Sequence, residues 1–208
     1  MTVRQLAVGP LQENCYLLKG DGGRGVVVDP GDEAERILQE CAGFGLKPEA
    51  ILLTHAHFDH VGAVAKIVEA LGLPVCLHPD DLVLYRHAVE AAARWGVQLE
   101  RPPEPVTPMH EGDRLDFGLG LEVFHLPGHS PGHVGFYGDG QLVCGDVLFR
   151  GSVGRTDLPL SSHQQLMASL AKLLKLPPET LVYPGHGPST TLGLEAASNP
   201  FLPRFPDS

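Results

Sequence analysis

No apolar run in this chain approaches the ~20 residues that a membrane-spanning helix requires, and Met1-Thr2-Val3-Arg4-Gln5-Leu6 lacks the charged and then apolar stretches of a secretory signal. A cytoplasmic protein is therefore expected, with no membrane partner. Cysteine is scarce. Cys15, Cys41, Cys76 and Cys144 are scattered without any Cys-x-x-Cys spacing, which excludes a zinc ribbon or a redox dithiol and reads as reduced, buried small residues. Positive charge is short as well: 15 Lys and Arg stand against 25 Asp and Glu, for a formal net charge of −10. No basic stripe with interleaved aromatics offsets it, so nucleic acid is not an expected partner. Low-complexity segments and solenoid-period repeats are also absent.

What is there is globular in character. The 208 residues are 43% hydrophobic and 19% charged, enough to bury a core without staples, and one domain over residues 1–208 is expected. Short apolar runs between Gly, Pro and Asp punctuation predict strands at 15–18, 25–28, 51–53, 75–77, 121–126, 134–137, 142–144 and 181–183. Helical spacing recurs in Ala34, Ile37, Leu38 and Cys41, in Val61, Val64, Ala65 and Val68, and in Leu166, Leu170, Leu173 and Leu174. Ser161, three residues before Gln164, is expected to open the last of these by a capping box. Strands and helices in both halves imply an α/β layered fold. The stretch Arg101-Pro102-Pro103-Glu104-Pro105 predicts a stiff connection between the halves, and the tail 199–208 a surface loop.

The expected strand at 51–53 runs through Thr54 straight into His55-Ala56-His57-Phe58-Asp59-His60, and a helical pattern follows from Val61. Four metal-capable side chains thus fall in one strand-to-helix loop. By the period of two, His55 and His57 share a side, whereas Asp59 and His60 can turn toward a second position. A lone histidine here would read as part of a polar surface loop; three with an aspartate inside six residues read as a metal site. Imidazole and carboxylate without a competing thiolate suit Zn²⁺, with Fe²⁺ or Mn²⁺ also admitted. Later loops add ligand types beside glycine, where the backbone can turn sharply: Pro127-Gly128-His129-Ser130-Pro131-Gly132-His133, Cys144-Gly145-Asp146 and Tyr183-Pro184-Gly185-His186-Gly187.

The order Thr-His-x-His-x-Asp-His, Pro-Gly-His-Ser-Pro-Gly-His, Gly-Asp and Pro-Gly-His-Gly resembles the metallo-β-lactamase superfamily, and more closely its glyoxalase II-like branch of small thioester hydrolases. The resemblance spans nearly the whole chain. It implies a four-layer αββα sandwich with metals at one edge between the sheets, each half of the chain giving one sheet and its helices. It also implies that His55, His57 and His129 hold one metal, that Asp59, His60 and His186 hold a second, and that Asp146 bridges them. One or two Zn²⁺ ions per chain are the expected cofactor, and Asp59 would orient a hydroxide that attacks a small-molecule thioester.

Other residues keep two readings. His133 is expected to hydrogen-bond structurally or to support His129, and Cys144 to be a buried small residue. His78, His87, His110, His125 and His163 have no ligand partners nearby in sequence and read as surface or satisfied core histidines. Asp29 is either a turn-forming residue or, by the resemblance, a support for the histidine loop. Arg155 either clamps a substrate carboxylate or pairs with an acid such as Asp157. Gly154-Arg155-Thr156-Asp157 is similar to a phrase in short bacterial members of the branch and in persulfide dioxygenases. A dioxygenase with a single iron on His55, His129 and Asp146 is therefore the alternative activity. Glyoxalase II carries a C-terminal helical extension that supplies much of its glutathione surface, and the short stretch after His186 departs from it. β-Lactam hydrolysis is set aside for want of an export signal and because a bridging Asp146 is unlike those enzymes. Nucleic-acid hydrolysis is set aside on charge. A metal-binding module without activity is the remaining reading.

Overall fold

The structure, a computed structural model, describes residues 1–104 and 106–202. Pro105, at the end of the expected stiff connection, and residues 203–208 of the expected tail loop lie outside the described residues.

Alternation along the strands explains the layering. Strands β1 (Thr2–Val8), β2 (Glu13–Lys19), β3 (Arg24–Val28), β4 (Lys47–Leu52), β5 (Val75–Leu77) and β6 (Thr107–Pro108) form one sheet in that spatial order, antiparallel through β3 and parallel beyond it. Strands β7 (Arg114–Leu115), β8 (Leu121–His125), β9 (Val134–Gly138) and β10 (Gln141–Gly145) belong to a second sheet, and β11 (Leu148–Phe149) with β12 (Ser152–Val153) make a separate hairpin. β13 (Leu181–Pro184) and β14 (Thr190–Thr191) complete the second sheet in the order β14-β13-β10-β9-β8-β7. Successive side chains of a strand face opposite sides. Tyr16, Leu18, Val26, Val28 and Leu52 accordingly point toward the other sheet and meet Val123, Val134, Phe136 and Val143 in a buried cluster. Their neighbours Leu17, Val27 and Ile51 point outward.

Those outward faces are buried on both sides by helices. Helix α1 (Ala34–Phe44), the single turn α2 (Phe58–Val61) and α3 (Val64–Leu71) cover the first sheet, where Ile37, Cys41, Val64 and Ile67 pack on Leu17, Val27 and Ile51. Helices α4 (Leu82–Arg86) and α5 (Ala88–Arg94) follow beside them. On the far side, α6 (His163–Leu173) lays Leu166, Leu170 and Leu173 against Leu142, Cys144 and Val182 of the second sheet, with α7 (Leu192–Ser198) next to it. The result is the expected αββα sandwich, one sheet from each half of the chain. Helix α6 begins one residue later than the sequence suggests. Ser162, not Ser161, is its N-cap, because the Ser162 Oγ accepts from the Gln165 N–H, while the Ser161 hydroxyl donates to the carbonyl of His129.

Candidate metal centre

All the side chains singled out around the first histidine loop meet at one edge of the sandwich. β4 ends at Leu52, and the chain turns through Thr54 because Asp29, at the end of neighbouring β3, takes up both of its polar groups. The Thr54 N–H donates to one Asp29 oxygen at 2.7 Å and its hydroxyl to the other at 2.5 Å. The same Thr54 hydroxyl faces His55 Nδ1 at 3.0 Å, and Asp29 faces His60 Nδ1 at 3.1 Å. Asp29 therefore supports the histidine loop, and its positive φ of 47° shows that it also makes the turn. With their Nδ1 atoms engaged, His55 and His60 direct Nε2 into the centre. His129 Nδ1 donates to the carbonyl of Arg155 at 2.9 Å, which turns its Nε2 the same way.

The inward atoms form two groups. His55, His57 and His129 offer ligand atoms within 4.8 Å of one another, and so do Asp59, His60 and His186. His57 Nδ1 stands 2.9 Å from His129 Nε2. In the other group, His186 Nε2 lies 3.3 Å from Asp59 Oδ2. Asp146 reaches both groups: its Oδ2 is 3.5 Å from His129 Nε2 and 3.7 Å from His186 Nε2, while its Oδ1 is 3.6 Å from His60 Nε2. Its approach depends on glycine. A Cβ on Gly185 would sit 2.1 Å from Asp146 Oδ1, and Gly145, at φ 47°, passes so close to Thr54 that a Cβ would lie 2.4 Å from its hydroxyl.

The donor set fits metal ions. Among the described residues, His55 Nε2, His60 Nε2 and Asp146 Oδ1 are buried with no hydrogen-bond partner. An unpaired buried polar atom costs about 1–3 kcal/mol, so several aimed at one point mark the place of a cation. Burial, reinforced by neighbouring histidines, pushes His55 well below the ordinary imidazole range, and burial beside His129 pushes His57 down to about 3. Both are thus held neutral, the form that binds a metal. Burial would raise the Asp146 carboxyl, but His60 and His129 outweigh it and hold it below the usual carboxylate range.

Several supports were not legible in the sequence. Asp81, fully buried, accepts from the Ala56 N–H at 3.0 Å, the Ser130 hydroxyl at 2.8 Å and the Gly132 N–H at 2.6 Å, tying the first histidine loop to the second. From the first sheet, Asn14 and Tyr16 donate to the Pro184 carbonyl and Asn14 also to that of Gly187, which pins the loop carrying His186. Glu13 is buried 3.5 Å from His60 Nδ1, and burial raises its carboxyl well above the usual range. Nothing in the local spacing of these residues marks them, since each acts across a long separation in sequence. His133 is buried, accepts from the Asp146 N–H at 3.1 Å and stacks on His55, as its structural reading requires. The Cys144 thiol is buried, pushed up to about 12 by that burial, and hydrogen-bonds the Leu148 carbonyl.

A cavity of about 780 Å³ opens onto the centre, with His57, Asp59 and His186 on its floor. Its walls are mostly apolar, with Val83, Trp95, Phe149 and Leu158 among them. Arg155 lies on the rim, and its guanidinium is engaged by the Asp157 carboxylate through two hydrogen bonds of 2.7 and 2.8 Å.

Residues 8–186 match the family model of the metallo-beta-lactamase superfamily. Among curated relatives, the chain is 43% identical to "Probable metallo-hydrolase YqgX" of Bacillus subtilis, over 99% of both chains. It is 38% identical to hydroxyacylglutathione hydrolase GloC of Haemophilus influenzae, over 97% of this chain and 98% of that one. Among solved structures, TTHA1623 in a di-iron-bound form is 60% identical, with a TM-score of 0.91 over 96% of this chain and all of that one. The BLEG-1 B3 metallo-beta-lactamase is 40% identical, with a TM-score of 0.88 over 97% and 99%. ETHE1 from Myxococcus xanthus is 27% identical, with a TM-score of 0.80 over 96% and 84%. With the fold, the motif order and the family match in agreement, the chain belongs to the metallo-beta-lactamase superfamily of metal-dependent enzymes.

Proposed function

We propose that the chain is a two-metal hydrolase of small thioesters of the hydroxyacylglutathione kind. The observation that carries this reading is a second complete ligand group, Asp59, His60 and His186, beside His55, His57 and His129, with Asp146 between them. The likeness to GloC supports the substrate class. That relative is matched along almost its full length. Zn²⁺ is our assignment for the ions, although the di-iron form of TTHA1623 keeps iron in view.

A bound ion pair would supply Lewis acidity, making water acidic enough to ionise near neutral pH and drawing off charge from the attacked carbonyl. The protein's own groups set the geometry. Asp59, facing the cavity, accepts a hydrogen bond from the attacking water and aims it at the thioester carbon. The water gives up one proton to solvent, its hydroxide oxygen bonds the carbonyl carbon, and collapse of the adduct breaks the C–S bond; the electron pair leaves on sulfur, which takes the proton of the new carboxylic acid. Apolar walls around Trp95 and Phe149 exclude bulk water and seat the acyl or thiol body. The four buried, unbridged cysteines support a reducing, cytoplasmic setting.

The likeness to ETHE1 favours a second reading, oxygen-dependent oxidation of a persulfide on a single iron held by His55, His129 and Asp146. A full second ligand group is superfluous for that chemistry. Metal analysis of the purified protein, combined with assays on S-lactoylglutathione, a β-lactam and, with an oxygen electrode, glutathione persulfide, tests both readings. Thioester turnover by protein carrying two ions is the expected result. Oxygen uptake on persulfide by protein carrying one iron, without thioester turnover, would overturn it.

A further inference from the structure

Helix α5 turns one face to the cavity above the metal centre. His87, just before the helix, and Glu90, Ala91 and Arg94 line that cavity at the i, i+3, i+4, i+7 spacing of a single helical face. Two polar groups of this face are already engaged: His87 Nδ1 donates to the Val83 carbonyl at 2.8 Å, and the Glu90 carboxylate accepts from Arg101 at 2.8 Å. Arg94 differs. It is exposed, and among the described residues its guanidinium has neither an ion-pair nor a hydrogen-bond partner, whereas Arg155, the other arginine lining the cavity, is held by Asp157. The next residue is Trp95, the chain's only tryptophan, 62% exposed on the cavity wall with its ring 6.2 Å from that of Phe58, the neighbour of Asp59. Leu11 and Val83 are exposed on the same wall. Large apolar side chains left in water around one mouth mark a surface that a ligand covers.

Resting on the thioester-hydrolase reading, we propose that the C-terminal end of α5 recognises the thiol half of the substrate, Arg94 binding a carboxylate there and Trp95 covering the chain between that carboxylate and sulfur. Both residues set specificity and take no part in bond breaking. The division follows from where the charges lie. His57, Asp59 and His186 on the cavity floor belong to the metal centre, so the thioester carbonyl lies there and the thiol half extends along the walls. A neutral thiol would use the apolar walls and gain nothing from Arg94. A polyphosphate-bearing thiol would bring several negative charges to a protein of formal net charge −10, against a single unengaged arginine on the wall. A peptide thiol carrying carboxylates matches both features, since one planar guanidinium fork takes one carboxylate and the tryptophan ring takes the apolar stem. The cavity, at about 780 Å³, has the size of a small-molecule site.

The test titrates S-methylglutathione, a thioether that cannot be hydrolysed, into the metal-loaded protein while the fluorescence of Trp95 is followed. No other tryptophan contributes, so the signal reports this wall without any turnover. We expect a saturable change, with binding weakened roughly 5-fold in Arg94→Gln, as for loss of one solvent-exposed charge pair, and at least as much when both carboxyls of the probe are esterified. Arg94→Lys should fall between, since it keeps the charge and loses the fork. On S-lactoylglutathione, Arg94→Gln should raise KM by a similar factor with kcat nearly unchanged. Fluorescence that ignores the probe, equal affinity for the free acid and its ester, equal affinity of wild type and Arg94→Gln, or tighter binding of S-methyl-coenzyme A would overturn the assignment. Failure of the thioester reading shows separately, as a wild type that does not turn over S-lactoylglutathione, and the fluorescence titration still decides the role of α5. The comparison of acid and ester needs no variant, so a folding defect does not obscure it.

Discussion

A histidine here is fitted to be a ligand where something else occupies its other nitrogen. Thr54 holds His55, Asp29 holds His60 and the Arg155 carbonyl holds His129, so each directs its Nε2 into the centre. His55→Ala or His57→Ala should therefore lose about one equivalent of metal per chain and nearly all activity, with an unchanged circular dichroism spectrum. Unaltered metal content in both variants would remove them from the ligand set. Asp146→Asn should disturb both ions, because an amide cannot offer negative oxygen to two sides, whereas His186→Ala should mainly empty the site it shares with Asp59 and His60. Elemental analysis of the two variants side by side separates these outcomes. For Arg155, the paired hydrogen bonds to Asp157 give the loop a local tie, although both side chains are largely exposed and such pairs contribute little to stability. If Arg155 leaves Asp157 for a substrate carboxylate, Arg155→Lys should raise KM with kcat nearly untouched, since lysine loses the planar fork. A variant with unchanged KM, stability and metal content would exclude it from the site.

At the scale of elements, the site depends on how loops are tied to sheet ends. Gly185→Ala puts a methyl group against Asp146 Oδ1 and the His60 ring, both in the centre. Displacement of about 1 Å in such a site commonly costs on the order of 100-fold in rate, so activity should fall by that order while the fold persists; a fully active variant would show that the loop yields freely. Ser162→Ala should lower stability by about 1 kcal/mol as a lost N-cap, and Ser161→Ala should instead loosen His129, whose carbonyl the Ser161 hydroxyl holds. The ligand motifs were legible because each occupies one short loop at a strand end. Apolar runs likewise revealed β2 through β5 and β8 through β10, since those strands are buried. β1 was missed because it is an edge strand with an irregular burial pattern, and α4 and α5 because they are short and divide their apolar residues between the core, which takes Tyr85 and Ala88, and the cavity, which takes Val83 and Ala91. The clamp made by Asp81 could not be read at all, since its three partners lie 25 to 51 residues away.

At the scale of the whole molecule, folding and metal binding should be separable. Three buried apolar clusters, one between the sheets and one under each helical layer, exist without any contribution from the centre. A chain of this size buries most of its apolar surface on folding, unlike a zinc finger, whose fold is its metal site. The ions nevertheless bind only the folded state and so stabilise it by mass action, by roughly 4 kcal/mol at a thousand-fold excess over Kd. For a chain of 150–250 residues each kcal/mol moves Tm by about 2–4 °C. Chelation should therefore lower Tm by on the order of 10 °C and abolish activity, while the far-ultraviolet circular dichroism at 25 °C is unchanged, and Zn²⁺ should restore both Tm and turnover. The unpaired buried atoms of His55, His60 and Asp146 set the reason for the loss: without cations they remain desolvated and unmatched, so the edge between the sheets should open first. Hydrogen exchange of chelated protein would then be fastest in the loops around Thr54, Gly145 and Gly185, with α1 and α6 still protected. Uniform loss of protection across both helical layers would mean that the metals hold the sandwich itself together.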